Sequence, residues 1–110
     1  MIEVTVYKTM RHEYAGFDMS GHAGYDDIGK DIVCAAVSVL VIYTLNSIER
    51  FTVVKTSCVS DENSGTVEFR FKDHPSHDAA LLLDSMILGL EDIEDSEEYE
   101  SYIDIIFKEV

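Results

Sequence analysis

The segment Ile32 to Leu45, IVCAAVSVLVIYTL, carries apolar residues on every side at helical spacing. A helix built from it has no face to offer water, so it must be covered all round, by a sheet and, where the sheet leaves it bare, by a second subunit. The run includes Ser38 and Thr44 and falls short of the roughly 20 residues that cross a bilayer, so it is expected as the central helix of a packed core and not as a membrane span. With 110 residues and 46% hydrophobic content, the chain fits one domain, 1–110, with enough apolar material for an ordinary core.

Around that helix the patterning changes to a period of two. Ile2, Val4 and Val6 alternate with Glu3, Thr5 and Tyr7, the signature of a half-buried strand, and a second strand is expected over Tyr14 to Met19, joined through TMRHE as a hairpin. FTVVKTSCV (Phe51 to Val59) and TVEFRFK (Thr66 to Lys72) are rich in β-branched and aromatic residues, and SDENSG between them supplies turn formers, which predicts a second hairpin. Pro75 can open a helix at its first turn. Beyond it Ala79, Leu82, Leu83, Met86, Ile87, Leu90 and Ile93 fall at three- and four-residue steps along one face. Tyr99, Tyr102, Ile103, Ile106 and Phe107 repeat that spacing after Ser96, a plausible N-cap, and predict a final helical segment. No parallel crossover pattern is evident. The expected fold is therefore a two-layer α+β domain with an antiparallel four-stranded sheet and two main helices, β-β-α-β-β-α, plus the C-terminal helical segment.

Charge narrows the partners. Lys+Arg 8 against Asp+Glu 22 gives −14, which disfavours direct nucleic-acid binding and favours a basic partner. Between Asp73 and Phe107 there are 11 acidic residues and no Lys or Arg, either a solvated helix face or a surface that steers a basic substrate. Cys34 and Cys58 show neither a disulfide framework nor a zinc spacing, and Cys58 is expected as a buried thiol. Asp73, His74, His77 and Asp78 in DHPSHD include ligand types, but a proline and a helix start explain that segment, so no metal site is expected. The start, MIEVTVYK, lacks the basic-then-apolar order of a signal peptide, and a cytoplasmic protein with reduced thiols is expected.

The chemistry concentrates in SGHAGYDDIGKDIVCAAVS, Ser20 to Ser38. Gly21, Gly24 and Gly29 permit close backbone approach, while Asp26, Asp27 and Asp31 would repel a phosphate, and neither phosphate-binding glycine motif is present. If Asp31 caps the helix, Cys34 falls in its first turn, where unpaired N–H groups favour a thiolate and can stabilise an oxyanion. His22, 12 positions upstream, can fold back to serve as base. The plain alternative is a small buried hydrophobe and a surface histidine.

GHAGYDDIGKDIVCAAVS resembles the signature of the ribosomal-processing cysteine proteases, the Prp family: G-H-A at the histidine, an acidic glycine-containing loop, then D-I-V-C-A-A-V-S. Gly21, His22, Ala23, Gly29, Asp31, Val33, Cys34, Ala35, Ala36 and Ser38 carry the match. The resemblance implies a cytoplasmic bacterial endopeptidase that removes a short N-terminal extension from large-subunit ribosomal protein twenty-seven. It implies Cys34 as nucleophile, His22 as base, Gly21, Ala23, Gly24 and Gly29 in a loop that orders over the substrate, a homodimer, and no cofactor. Asp31 either orients His22 or caps the helix, and Ser38, one turn beyond Cys34, either lines the site or packs. Two other readings stand beside it: a non-enzymatic acidic assembly factor that holds a basic ribosomal tail, and a small thiol-dependent redox or acyl-transfer protein.

Overall fold

The computed structural model describes residues 1–21, 28–61 and 64–110. Its elements are β1 (Ile2–Lys8), β2 (Tyr14–Ser20), α1 (Ile28–Phe51), β3 (Thr56–Asp61), β4 (Thr66–Phe71), α2 (His77–Glu94), a 3-10 turn (Glu100–Tyr102) and β5 (Ile103–Glu109). Both expected hairpins form, with β1 antiparallel to β2 and β3 antiparallel to β4. The second starts later than expected, because α1 runs on to Phe51 and β3 begins only at Thr56.

The C-terminal helical segment is a strand instead. β5 lies parallel to β1, with Ile103 beside Ile2 and Ile105 beside Val4, so the sheet is five-stranded and mixed in the order β3-β4-β2-β1-β5. Ile103, Ile105 and Phe107 also alternate, and the exposed edge of β1 offers a ladder of backbone partners that a short helix would leave unused. The edge that β5 itself creates is partly closed: Ile105 N–H donates to Glu94 Oε2 at 2.7 Å. Because β2 pairs antiparallel with β4, the connections β2-α1-β3 and β4-α2-β5 both join parallel strands, so two crossovers are present that the sequence pattern did not announce.

Both helices use these crossovers to cover one face of the sheet. Inward side chains line up across strands, Val6 beside Phe17 beside Phe69, and the two phenylalanine rings are 5.3 Å apart. α1 adds Val33, Val37, Val41 and Ile48, and α2 adds Ala79, Leu83, Met86, Ile87 and Leu90, all buried. The helices approach closely at Gly89, where an added Cβ would stand 3.1 Å from Leu40 Cδ2. Pro75 stands one residue before the cap of α2 and not in its first turn; Ser76 is the N-cap, and its Oγ accepts from Ala79 N–H at 3.2 Å. On the uncovered face Tyr7 O–H donates to Asp18 at 2.8 Å and Arg70 donates to Asp18 at 2.7 Å, tying β1, β2 and β4 together.

α1 has 24 residues, and Ile32–Phe51 is long and apolar enough by length and composition to cross a membrane, contrary to the shorter run read from sequence. Here its inward stripe is spent on the core, whereas Val39, Ile42 and Tyr43 on other faces are more than half exposed, at 55%, 54% and 67%. Within one chain, then, the helix is covered on one side only. Leu83, 1% exposed at the centre of α2, tests how much the helix layer contributes. Leu83→Ala should lower the unfolding free energy by about 2–5 kcal/mol in a urea titration, with little change in slope.

Candidate active site

β2 ends at Ser20, and Gly21 turns the chain off the sheet with φ +82, a left-handed conformation that L side chains rarely adopt. A Cβ there would also lie 2.2 Å from the Met1 carbonyl oxygen. Glycine is therefore demanded twice, by backbone angle and by space, at the position that leads directly into His22. His22, Ala23 and Gly24 lie outside the described residues, as do Tyr25, Asp26 and Asp27.

α1 begins at Ile28, four residues earlier than expected. Gly29 and Asp31 are its second and fourth residues and Cys34 its seventh, so Asp31 is not the N-cap and Cys34 stands in the second turn. The N–H groups left over at a helix start belong to its first four residues. The N–H of Cys34 is inside the ladder, so the expected oxyanion donors of a shared first turn are not at the thiol. What positions Cys34 is packing: it is half-buried against the core, beside the buried stripe of Val33 and Val37 on the same helix.

Ser38, half-buried and four residues on, stands one turn or ~6 Å further along the axis. It lies at the wall of a cleft of about 420 Å³ between α1 and the β3–β4 hairpin, which Met19, Val41, Ile42, Leu45, Cys58 and Val67 also line. Cys58 corrects a second expectation. It is exposed, not buried, because β3 is an edge strand whose residues Ser57 to Asp61 are all exposed. The cleft wall still desolvates its thiol enough to push its pKa above the ordinary cysteine value. This cleft was invisible in the sequence, where its walls lie in four separate segments. The available signal was the small, weakly polar character of Cys58 and Ser60 at inward positions of a strand.

The remaining candidates have local partners. His74 Nδ1 is 3.3 Å from Glu13 Oε2, and His77 Nδ1 is 3.4 Å from Asp78 Oδ1. Among the described residues no group of three His, Cys, Asp or Glu side chains converges to hold a metal ion.

Two measurements follow from this geometry. In Cys34→Ala protein, Cys58 should react with iodoacetamide at pH 7 more slowly than a free cysteine does, and its rate should climb with pH past the ordinary thiol range, because less of it is thiolate at any given pH. Gly21→Ala should lower the unfolding free energy by about 1–3 kcal/mol through strain at the turn, read from its denaturation midpoint.

A family model described as cysteine protease Prp matches residues 1–104. The ribosomal processing cysteine protease Prp of Staphylococcus aureus (strain NCTC 8325 / PS 47) is 34% identical over 90 residues, 82% of this chain and 83% of that protein. Its counterpart in Bacillus subtilis (strain 168) is 30% identical over 98 residues, 86% and 88% of the two chains. In structure the chain is similar to the S. aureus ribosomal processing protease Prp crystallised with a substrate peptide, at a TM-score of 0.90 and 30% identity over 98% of this chain and 100% of that one. The same S. aureus protease with a covalently linked product peptide gives a TM-score of 0.86 at 31% identity, with the same shares covered. A sheet-and-two-helix frame shared from end to end, together with a family model that spans residues 1–104 and relatives at 30–34% identity, leaves one assignment: the chain belongs to the cysteine protease Prp family.

Proposed function

We propose that residues 1–110 act as one cysteine protease domain that removes the short N-terminal extension of large-subunit ribosomal protein twenty-seven, with Cys34 as nucleophile and His22 as base. The observation that carries this reading is the placement of Cys34: half-buried on a long helix, one turn from the cleft between α1 and the β3–β4 hairpin, at the end of the sheet where β2 hands over to the segment bearing His22. The S. aureus relative has been crystallised with a substrate peptide and with a covalently linked product peptide, which supports peptide cleavage through a covalent intermediate.

The cycle uses this chain's groups and no cofactor. The Cys34 thiol gives its proton to His22 and the sulfur attacks the scissile carbonyl carbon, forming a C–S bond. His22 returns that proton to the leaving amine as the C–N bond breaks, which leaves a thioester. Water, deprotonated by His22, then attacks the same carbon, and sulfur leaves to restore Cys34. In this scheme Asp31 orients His22, Ser38 lines the site, and Gly21, Ala23, Gly24 and Gly29 let the backbone close over the peptide. The partner is a basic tail, drawn by a net charge of −14, and neither nucleic acid nor membrane takes part directly. The setting is the bacterial cytoplasm.

A homodimer completes the proposal. Val39 and Tyr43 on the outer side of α1 are exposed and, with Leu82 and Met86 of α2, line a shallow groove between the helices. A second copy over this face would cover the part of α1 that the sheet leaves bare. The alternative of a non-enzymatic acidic binding factor accounts for the charge but gives no task to Cys34, and it sits poorly with a family of cysteine proteases.

Mass spectrometry of a peptide spanning the extension junction tests the assignment. The native protein should cut one bond, Cys34→Ala should cut none while still binding, and His22→Ala should lose at least about a hundredfold in kcat. Binding without cleavage by the native protein would return the acidic binding factor to first place.

A further inference from the structure

The two ends of the molecule differ in charge. β1, β4 and β5 finish, and β2 and β3 begin, at the end away from Cys34. There Lys72 N–H donates to the Lys55 carbonyl at 2.9 Å, and Lys72 and His74 share a cavity of about 220 Å³ with Thr9 and Glu13 of the β1–β2 turn. This end collects Lys8, Arg11, Arg50, Lys55, Lys72 and Lys108, six of the eight lysines and arginines in the chain. The Lys8 ammonium lies 4.8 Å over the Tyr14 ring, and among the described residues none of the other five is in an ion pair. Carboxylates are present too. Glu13 and Asp78 face the rings of His74 and His77, at 3.3 and 3.4 Å, Asp73 accepts from the His74 N–H, and Glu49 and Glu109 stand on α1 and β5. The other end is the acidic one: α2 finishes there, and seven carboxylates lie between Glu91 and Glu100 alone. Along α1, ~26 Å separates Cys34 from Phe51, about three Debye lengths at physiological ionic strength, so the two ends act on their surroundings separately.

The cationic end also carries the most exposed large apolar side chains among the described residues: Val53 at 99%, Met10 at 79% and Phe51 at 74%. The backbone fixes that exposure. Thr52 closes α1 twice on the Ile48 carbonyl, through its N–H at 3.2 Å and its Oγ1 at 2.6 Å, and the chain then packs Val54 against the core and leaves Val53 outside. Arg50 and Lys55 flank Phe51 and Val53 in sequence, and Lys72 is paired with Lys55. We propose that this end is a docking surface for an anionic lipid bilayer, in which Met10, Phe51 and Val53 enter the headgroup region while Arg11, Arg50, Lys55 and Lys72 meet lipid phosphates. Shape and charge together select the occupant. A side chain that is 99% exposed touches almost nothing of its own protein, so a protein partner would need a socket for each knob, whereas a bilayer interface closes around all of them. An RNA backbone would satisfy the cations and leave Val53 and Met10 in water. Cleavage itself uses no lipid. The contact decides where the protein sits, with its acidic end held away from the anionic surface and Cys34 turned to solution.

Vesicle flotation tests the surface. The native protein should partition onto vesicles of phosphatidylglycerol and phosphatidylcholine in equal parts at least about tenfold better than onto phosphatidylcholine alone. Phe51→Ser combined with Val53→Ser should lower that partition about tenfold, and Arg50→Glu combined with Lys55→Glu should do the same. Val59→Ser, at a valine that is 65% exposed on β3, should change nothing. All five positions are exposed, so each variant should keep the native circular dichroism. No preference for the anionic vesicles, native binding by both double variants, or an equal loss with Val59→Ser would each overturn the proposal. So would tighter binding to a short single-stranded RNA than to the vesicles, lost in the charge variant and kept in the apolar one, since that result assigns the surface to nucleic acid.

Discussion

The site depends on α1 being clamped to the sheet from one side only. Val33, Val37, Val41 and Ile48 are at most 1% exposed, and burying each such side chain contributes roughly 1.5–3 kcal/mol. That seam fixes the helix rotation, and rotation decides which residues face the neighbouring solvent channel. Cys34, Ser38 and Ile42 each follow a buried valine by one position, so the line that carries the thiol is set by the line that carries the core. A thiol on a loop would need other groups to aim it. Here the hydrophobic seam aims the Cys34 thiol, because the helix that carries it is held by packing.

The two edges of the sheet are handled in opposite ways. At β5, Glu94 from the end of α2 takes the Ile105 N–H, and Ile103 is buried against the core. At β3 no helix arrives. The strand is short, six residues, and its composition of threonine, serine, cysteine and aspartate around one valine makes it a poor template for unwanted pairing. The same openness leaves a concavity between α1 and β3, with apolar side chains of α1 on one wall and Cys58, Ser60 and Asp61 on the other.

The places where sequence reasoning failed share a cause. Residues 99–107 satisfy both a helical spacing and a strand alternation, and a short apolar run cannot choose between them. The choice was made by β1, more than 90 positions away, which needed a partner along Ile2 to Lys8. Asp31 is a favoured capping type, and Gly29 two positions before it weakens a helical reading by roughly 1 kcal/mol. A helix of 24 residues with a long buried seam absorbs that cost and starts at Ile28 instead. Cys58 has the apolar company of a core strand, but its exposure depends on whether a helix covers β3, and nothing local records that.

From its residues alone this chain determined its class of fold, the hairpins, the amphipathic α2 and the acidic surface, because period, turn chemistry and charge are local properties. The Gly-His-Ala and Asp-Ile-Val-Cys pattern likewise pointed to the family, since the residues that carry it lie within one loop and the helix that follows it. Only the tertiary structure decided the fifth strand, the parallel crossovers, the true start of α1 and the cleft beside Cys34. These rest on contacts between segments far apart in the chain, where the free energy lies in which buried faces and open edges find each other, and that matching is settled only when all of the elements pack at once.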